Sequence, residues 1–87
     1  VNGVKDNYLY YKGQLQKATD GQKYVCYRVG GRNYVVNASG KVMKGSNVKN
    51  SDGVKFTTNS SGELTKADDD SDVDSYAQEP TEPYCTE

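Results

Sequence analysis

Residues 34–45, with the sequence YVVNASGKVMKG, recur in altered form at residues 56–67, with the sequence FTTNSSGELTKA. Each segment has an aromatic residue, two β-branched residues, an asparagine, a two-residue turn and a glycine. An aliphatic residue and then a lysine follow the glycine at the same distances. A constant period of about twenty residues is typical of proteins built from stacked structural units. These two segments therefore decide how the rest of the chain is interpreted.

A shorter copy precedes them at residues 8–18, with the sequence YLYYKGQLQKA. It lacks part of the turn but keeps the glycine, the aliphatic residue, the lysine and the small residue in order. Tyr8 takes the place of the aromatic residue that opens the longer copies. The chain therefore contains two and a half copies of one unit.

Each copy has the composition of a β-hairpin. Residues Asn37–Gly40 and Asn59–Gly62 supply an asparagine that can hydrogen-bond the following backbone, and a glycine that accepts positive φ. Tyrosine, phenylalanine, valine and threonine, which favour strands, precede both turns. A single hairpin is marginally stable in water, so we expect the hairpins to pack on one another. The sequence predicts an all-β fold in the form of a short solenoid of stacked β-hairpins.

Charge divides the chain at Asp68. Residues 1–67 contain all eleven basic and only four acidic residues, a net charge of +7. Residues 68–87 contain eight acidic residues and no basic residue, a net charge of −8. Such a segment buries too little apolar surface to offset the entropy lost on ordering. We therefore predict a β-hairpin repeat module over 1–67 and a disordered acidic tail or linker over 68–87.

The inventory of reactive residues argues against an enzyme. The chain has no histidine and only two cysteines, which excludes Ser–His and Cys–His nucleophilic pairs. A zinc site needs about four nitrogen or sulfur ligands, and the chain offers two sulfurs. The acidic residues from Asp68 to Glu79 have the spacing of a calcium loop, but Val73 stands where that loop needs glycine. We predict no catalytic residues, no metal and no cofactor.

The two cysteines leave alternatives open. A disulfide between Cys26 and Cys85 would tie the tail to the body, and closing such a loop contributes about 3–4 kcal/mol. Alternatively, Cys26 is an ordinary strand residue, and Cys85 is free or pairs with another chain. A secreted protein would permit the bridge.

The pattern resembles the cell-wall-binding repeats of Gram-positive surface proteins and phage lysins, the choline-binding and glucan-binding group. That family has a Gly-x-Trp-Tyr-Tyr frame, a turn that ends in glycine, and then methionine or leucine. In the two longer copies, the position of the frame's tryptophan is occupied by Asn33 and Lys55. Family members hold the choline cation between aromatic rings, and a lysine at this position would repel that cation. The matching segments are GRNYV at 31–35 and GVKFT at 53–57, with turn glycines Gly40 and Gly62 and aliphatic residues Val42 and Leu64.

The resemblance implies a ligand held by aromatic and basic side chains along the stacked hairpins. The aromatic residues have a second interpretation as the core between hairpins, and the lysines have one as an ordinary solvated face. Tyrosine on a wet surface can stack on a sugar ring and hydrogen-bond through its hydroxyl. Recurring lysines can attract an anionic polymer. The candidate ligand-binding residues are Tyr10, Tyr11, Tyr34, Phe56, Lys44 and Lys66.

We therefore expect a non-enzymatic module of a secreted, surface-associated bacterial protein that binds a cell-wall polysaccharide or teichoic acid. The chain would be tethered to another domain of a longer protein. The sequence predicts neither nucleic-acid binding nor membrane insertion, since it has no basic helix and no long apolar run. Two alternatives remain: a structural spacer or adhesion element with no ligand, and a regulatory domain whose acidic tail competes for its basic body.

Overall fold

The computed structural model describes residues 2–19, 21–70 and 72–80. Within these ranges the chain forms eight β-strands and one 3-10 turn, Asp74–Tyr76, and no α-helix. The all-β prediction is confirmed for this part of the chain. The strands are β1 (Gly3–Lys5), β2 (Tyr8–Tyr11), β3 (Gln14–Leu15), β4 (Tyr24–Val29), β5 (Arg32–Asn37), β6 (Asn47–Lys49), β7 (Lys55–Thr58) and β8 (Leu64–Ala67).

The strands form three small antiparallel sheets that follow one another along the chain. Their orders are β1-β2-β3, β4-β5 and β6-β7-β8. The second sheet is extended by the residues after its turn, because Val36 bridges Val42 and the Met43 amide donates to the Val35 carbonyl at 2.8 Å. We refer to residues 3–18, 24–45 and 47–67 as the first, second and third units.

The three units share one strand register. In each of them, the residue two positions after the aromatic residue lies opposite the aliphatic residue that follows the turn glycine. Because the same pairing recurs three times, the sequence repeat corresponds to a repeat of backbone structure. The equivalent pairs are Tyr10 with Leu15, Val36 with Val42, and Thr58 with Leu64.

Backbone hydrogen bonds join neighbouring units at equivalent positions. The Leu9 amide of the first unit donates to the Gly40 carbonyl of the second at 3.3 Å. In the same way, the Val35 amide of the second unit donates to the Gly62 carbonyl of the third at 3.4 Å. Gly40 and Gly62 therefore each meet the residue that follows the opening aromatic residue, Tyr8 or Tyr34, of the preceding copy of the repeat.

A second pair of bonds repeats at the end of each unit. The Ala18 amide donates to the Asn37 carbonyl at 3.0 Å, and the Gly45 amide donates to the Asn59 carbonyl at 2.6 Å. Ala18 and Gly45 are the small residues that end the first and second copies of the repeat, and the asparagines open the turns of the next copies. The first unit therefore contacts the second as the second contacts the third.

The two predicted turns form, and each is closed by hydrogen bonds to its asparagine side chain. Asn37 Oδ1 accepts backbone hydrogen bonds from Ser39 at 2.9 Å and Lys41 at 3.0 Å. Asn59 Oδ1 accepts the equivalent two bonds at the same distances. These local bonds close the turns without help from distant residues, which is why the sequence located the turns correctly.

The second sheet is buried on both faces. Successive strand residues point to opposite faces, and Val35 and Val36 accordingly belong to two different apolar clusters. Val36 packs with Leu9 of the first unit, whereas Val35 packs with Phe56 of the third. Burial of the central sheet between its neighbours is the main apolar contribution to the fold.

Part of the predicted acidic tail contacts the rest of the chain. The structure places residues 72–80 against the second and third units. The Gln78 amide donates to the Cys26 carbonyl at 2.8 Å, and the Arg28 amide donates to the Gln78 carbonyl at 2.9 Å. Gln78 therefore forms a parallel bridge along the edge of β4.

Apolar residues within the acidic run explain this placement. Val73, Tyr76 and Ala77 pack against the cluster that contains Phe56. The Tyr76 ring meets the Phe56 ring edge to face, with centroids 6.4 Å apart and planes at 79°. Composition averaged over residues 68–87 conceals these three residues. Cys26 is a free thiol in the structure, and residues 81–87 lie outside the described residues, so the alternatives for Cys85 stay predictions.

Candidate functional site

The six predicted ligand-binding residues do not converge on one site. Phe56 is only 2% exposed and belongs to the core between the second and third units. This burial agrees with the interpretation of the aromatic residues as core between hairpins, and ligand binding by Phe56 stays a prediction. The reason for the burial is its position on β7, where the ring faces Val35 of the neighbouring sheet and Tyr76 of the C-terminal segment.

The adjacent tyrosines of β2 lie in different surroundings. Tyr11 is half-buried against the cluster around Leu9, and the Lys12 ammonium lies 5.4 Å from its ring centroid. Tyr10 is also half-buried and lines a cavity of about 300 Å³ beside Lys5 and Asp6. Tyr10 is thus the member of this pair that reaches an open cavity.

Tyr34 lies at the junction of the second and third units. Burial raises the pKa of its phenol, the nearby Glu63 raises this pKa further, and Arg32 lowers it. The Arg32 guanidinium binds the Glu63 carboxylate at 2.9 Å and so joins the two units. At neutral pH the Tyr34 hydroxyl is a neutral hydrogen-bond donor.

The two predicted lysines are both exposed but differ in their contacts. Lys44 Nζ donates to Asn7 Oδ1 at 2.6 Å, which links the second unit to the first. Lys66 lies on β8 opposite Thr57, and its ammonium has no polar partner among the described residues. Lys44 is therefore held in place by a contact between two units, whereas Lys66 has the surroundings of an ordinary solvated residue.

A cavity of about 380 Å³ surrounds Lys44 at the junction of the first and second units. We call it the basic groove. Lys41 adds a second ammonium, and Asn7 and Ser46 add an amide and a hydroxyl. None of the described residues that line the groove is acidic. Two ammonium groups beside neutral hydrogen-bond donors suit a phosphate or another anion.

The repeat pattern concealed part of this groove. Lys41 follows a turn glycine, and the equivalent residue of the next copy is Glu63. A search for recurring basic residues therefore selects Lys44 and passes over Lys41. Asn7 lies in the turn between β1 and β2, and its proximity to Lys44 depends on how the units stack.

The two positions that carry tryptophan in the resembled family contact the acidic segment here. Asn33 Nδ2 donates to Asp74 Oδ1 at 2.9 Å. The Lys55 amide donates to Asp68 Oδ1 at 3.0 Å, and the Asp68 amide donates back to the Lys55 carbonyl. These positions therefore bind the chain's own carboxylates in place of an aromatic cage.

Cys26 lies beneath the C-terminal segment and is 1% exposed. Burial, and secondarily the charge of Asp74, raise the pKa of its thiol to about 12. Thiolates are the reactive form of cysteine. Compared with the ordinary cysteine pKa of 9.0, this pKa leaves roughly a thousandfold less thiolate at pH 8.

We expect native Cys26 to react with a disulfide reagent such as DTNB at pH 8 about a thousandfold more slowly than in urea. The measurement uses the Cys85→Ser variant, so that Cys26 is the only thiol. Asp74→Asn should raise the native rate because it removes the second cause of the pKa shift. Equal rates in buffer and in urea would show that the C-terminal segment does not cover the thiol.

Metal-ligand clusters and membrane-spanning helices are absent from the described parts of the chain. Residues 2–19, 21–70 and 72–80 contain no group of three or more metal-ligating side chains. The same ranges contain no helix long and apolar enough to cross a membrane. The basic groove is the main candidate for the predicted anionic ligand, because two lysines line it.

No protein-family model matches the chain, and no curated protein and no solved structure shows significant similarity to it. The resemblance to cell-wall-binding repeats stays a prediction from the sequence.

Proposed function

We propose that this chain is a non-enzymatic module of a secreted bacterial surface protein that binds an anionic cell-wall polymer such as teichoic acid. The module is a short solenoid of stacked β-hairpins, and the basic groove holds the polymer. The observation that carries this proposal is the basic groove itself, where Lys44 binds Asn7 across the junction of two units and Lys41 lines the same groove.

The equivalent contacts between units support the solenoid. Leu9 meets Gly40 as Val35 meets Gly62, so one docking geometry is used twice. Repetition of a single interface between neighbours is what defines a solenoid physically.

Charge supports an anionic polymer over a neutral one for this groove. The net charge of residues 1–67 is +7, which raises the local concentration of polyanions near the surface. Phosphates spaced along a chain can meet the ammonium groups of Lys41 and Lys44 one after the other. Neither ammonium forms an ion pair with a described carboxylate.

The groove is not repeated at the next junction. Glu63 stands in the position equivalent to Lys41, and Asp68 stands in the position equivalent to Ser46. Glu63 is also paired with Arg32. The second junction therefore lacks the two lysines that line the groove at the first, and we assign the binding site to the first junction alone.

We expect the double variant Lys41→Ala/Lys44→Ala to bind purified teichoic acid at least tenfold more weakly, since each charge-assisted hydrogen bond contributes about 1.5–3 kcal/mol. Binding is measured by co-sedimentation with teichoic-acid-bearing walls at low and moderate salt. The matched control is Lys23→Ala/Lys49→Ala, which removes the same charge from exposed positions outside the groove.

An equal loss in both double variants would show that only net charge matters and would refute the groove as the site. If the unmodified chain is retained on neither teichoic acid, peptidoglycan nor α-glucan, the chain is a structural spacer rather than a binding module.

A further inference from the structure

We infer that a second cavity, where the second unit, the third unit and the C-terminal segment meet, binds a single neutral sugar ring. We call it the aromatic cavity. Its volume is about 220 Å³, below the 300–1,000 Å³ typical of sites for drug-sized ligands. This size favours one ring over an oligosaccharide. The inference does not depend on the basic groove or on an anionic ligand.

The inner part of the aromatic cavity is apolar. Cys26 and Phe56, which are 1% and 2% exposed, form its floor. Tyr24 and Tyr76 are half-buried and line its walls. Aromatic rings in contact with a cavity offer apolar faces to the C–H surface of a sugar, and tyrosine hydroxyls offer hydrogen bonds at the edge.

The outer part of the aromatic cavity is lined by polar side chains. Gln22, Asp52 and Gln78 line the cavity, and their side chains have no hydrogen-bond partner among the described residues. Asn50 Oδ1 accepts hydrogen bonds from the Asp52 and Val54 amides, both at 2.9 Å. This bonding fixes the turn that carries Asp52, so the carboxylate is held at the rim before any ligand arrives.

The combination of groups selects the class of ligand. The amides of Gln22 and Gln78 both donate and accept, and the carboxylate of Asp52 accepts strongly, as adjacent hydroxyls require. No lysine or arginine lines the cavity, and Asp52 would repel an anion. An organic cation would use Asp52 and the rings but would leave both glutamine amides unused. A polyhydroxylated neutral ring uses every group.

The C-terminal segment completes this site. Tyr76 and Gln78 belong to residues 72–80, which the structure holds through the backbone bonds of Gln78 to Cys26 and Arg28. Without this segment the cavity loses one aromatic wall and one amide. The acidic segment is therefore part of a binding site and not only a linker.

The test is an NMR titration of the full chain with D-glucose and with N-acetyl-D-glucosamine, each followed through backbone amide shifts. We expect saturable shifts at Tyr24, Asp52, Val54 and Gln78 for at least one of the sugars. Asp52→Asn should weaken that binding about tenfold, since it replaces a charged acceptor with a neutral one. The matched control is Asp6→Asn, which makes the same change beside the cavity of Tyr10 and should leave affinity unchanged.

Gln78→Ala provides a second variant that keeps the backbone bridge and should also weaken sugar binding. Three outcomes would overturn the inference: no saturable shift with either sugar, shifts with choline chloride but not with the sugars, or equal losses in Asp52→Asn and Asp6→Asn. Lys41→Ala/Lys44→Ala should bind the sugar normally, so failure of the teichoic-acid proposal and failure of this one are distinguishable.

Discussion

Replacement of Gly62 by alanine is expected to lower the free energy of unfolding by about 2–5 kcal/mol. Gly62 has φ of +88°, a left-handed conformation that costs a residue with a Cβ about 1–2 kcal/mol. A Cβ at this position would also overlap Val42 Cγ1 of the preceding unit. Overpacking of this kind costs about 1–3 kcal/mol. For a domain of this size the sum is a large share of total stability.

Gly53→Ala is the matched control. Gly53 has φ of +85°, close to that of Gly62, but a Cβ there would have no atom within 4 Å. Gly53→Ala should therefore lower the free energy of unfolding only by the strain of the left-handed conformation. Urea unfolding of both variants gives the two free energies, and unchanged m-values would show that the same surface unfolds. If Gly62→Ala costs no more than Gly53→Ala, the third unit does not pack on the second as described.

The turn glycines show how much the sequence predicts. Both Gly40 and Gly62 were expected at positive φ, and the structure confirms it. Their second role was not predictable from the repeat. A Cβ on Gly40 would lie 2.8 Å from Leu15 Cδ1 of the first unit, as one on Gly62 would meet Val42 of the second. A turn is a local property, whereas close approach between units depends on contacts between residues that are distant in sequence.

The strands also fall into two groups, those that composition predicts and those that it does not. β5 and β7 carry runs of aromatic and β-branched residues, and composition predicted both. β1 and β6 are three residues long and largely polar, so their composition indicates little. They become strands because β2 and β7 offer unpaired edges, as Val4 pairs with Leu9.

The candidate sites were less predictable than the fold. Matching one repeat to the next favours positions that are alike, such as Lys44 and Lys66. The groove depends instead on Lys41, whose counterpart Glu63 has the opposite charge. The aromatic cavity depends on Tyr76, from a segment whose average composition predicts disorder. Both sites combine residues that are distant in sequence, and no spacing along the chain reveals such proximity.

Phe56→Ala is expected to lower the free energy of unfolding by about 3–5 kcal/mol, the usual cost of removing a buried phenylalanine side chain. The ring is 2% exposed and packs with Val35 and Leu64 as well as Tyr76. Tyr76→Ala should cost less, because Tyr76 is half-buried and lies at the edge of the cluster. Urea unfolding followed by circular dichroism measures both losses.

A double-mutant cycle on Phe56 and Tyr76 isolates their edge-to-face contact, with an expected coupling of about 0.5–1.5 kcal/mol. The coupling matters because the same ring has two interpretations. As a core residue, Phe56 couples to Tyr76 and its loss destabilises the fold. As an exposed ligand surface, it would couple to nothing, and Phe56→Ala would weaken binding at unchanged stability. Zero coupling together with unchanged stability would therefore refute the buried position of Phe56 and the docking of the C-terminal segment at once.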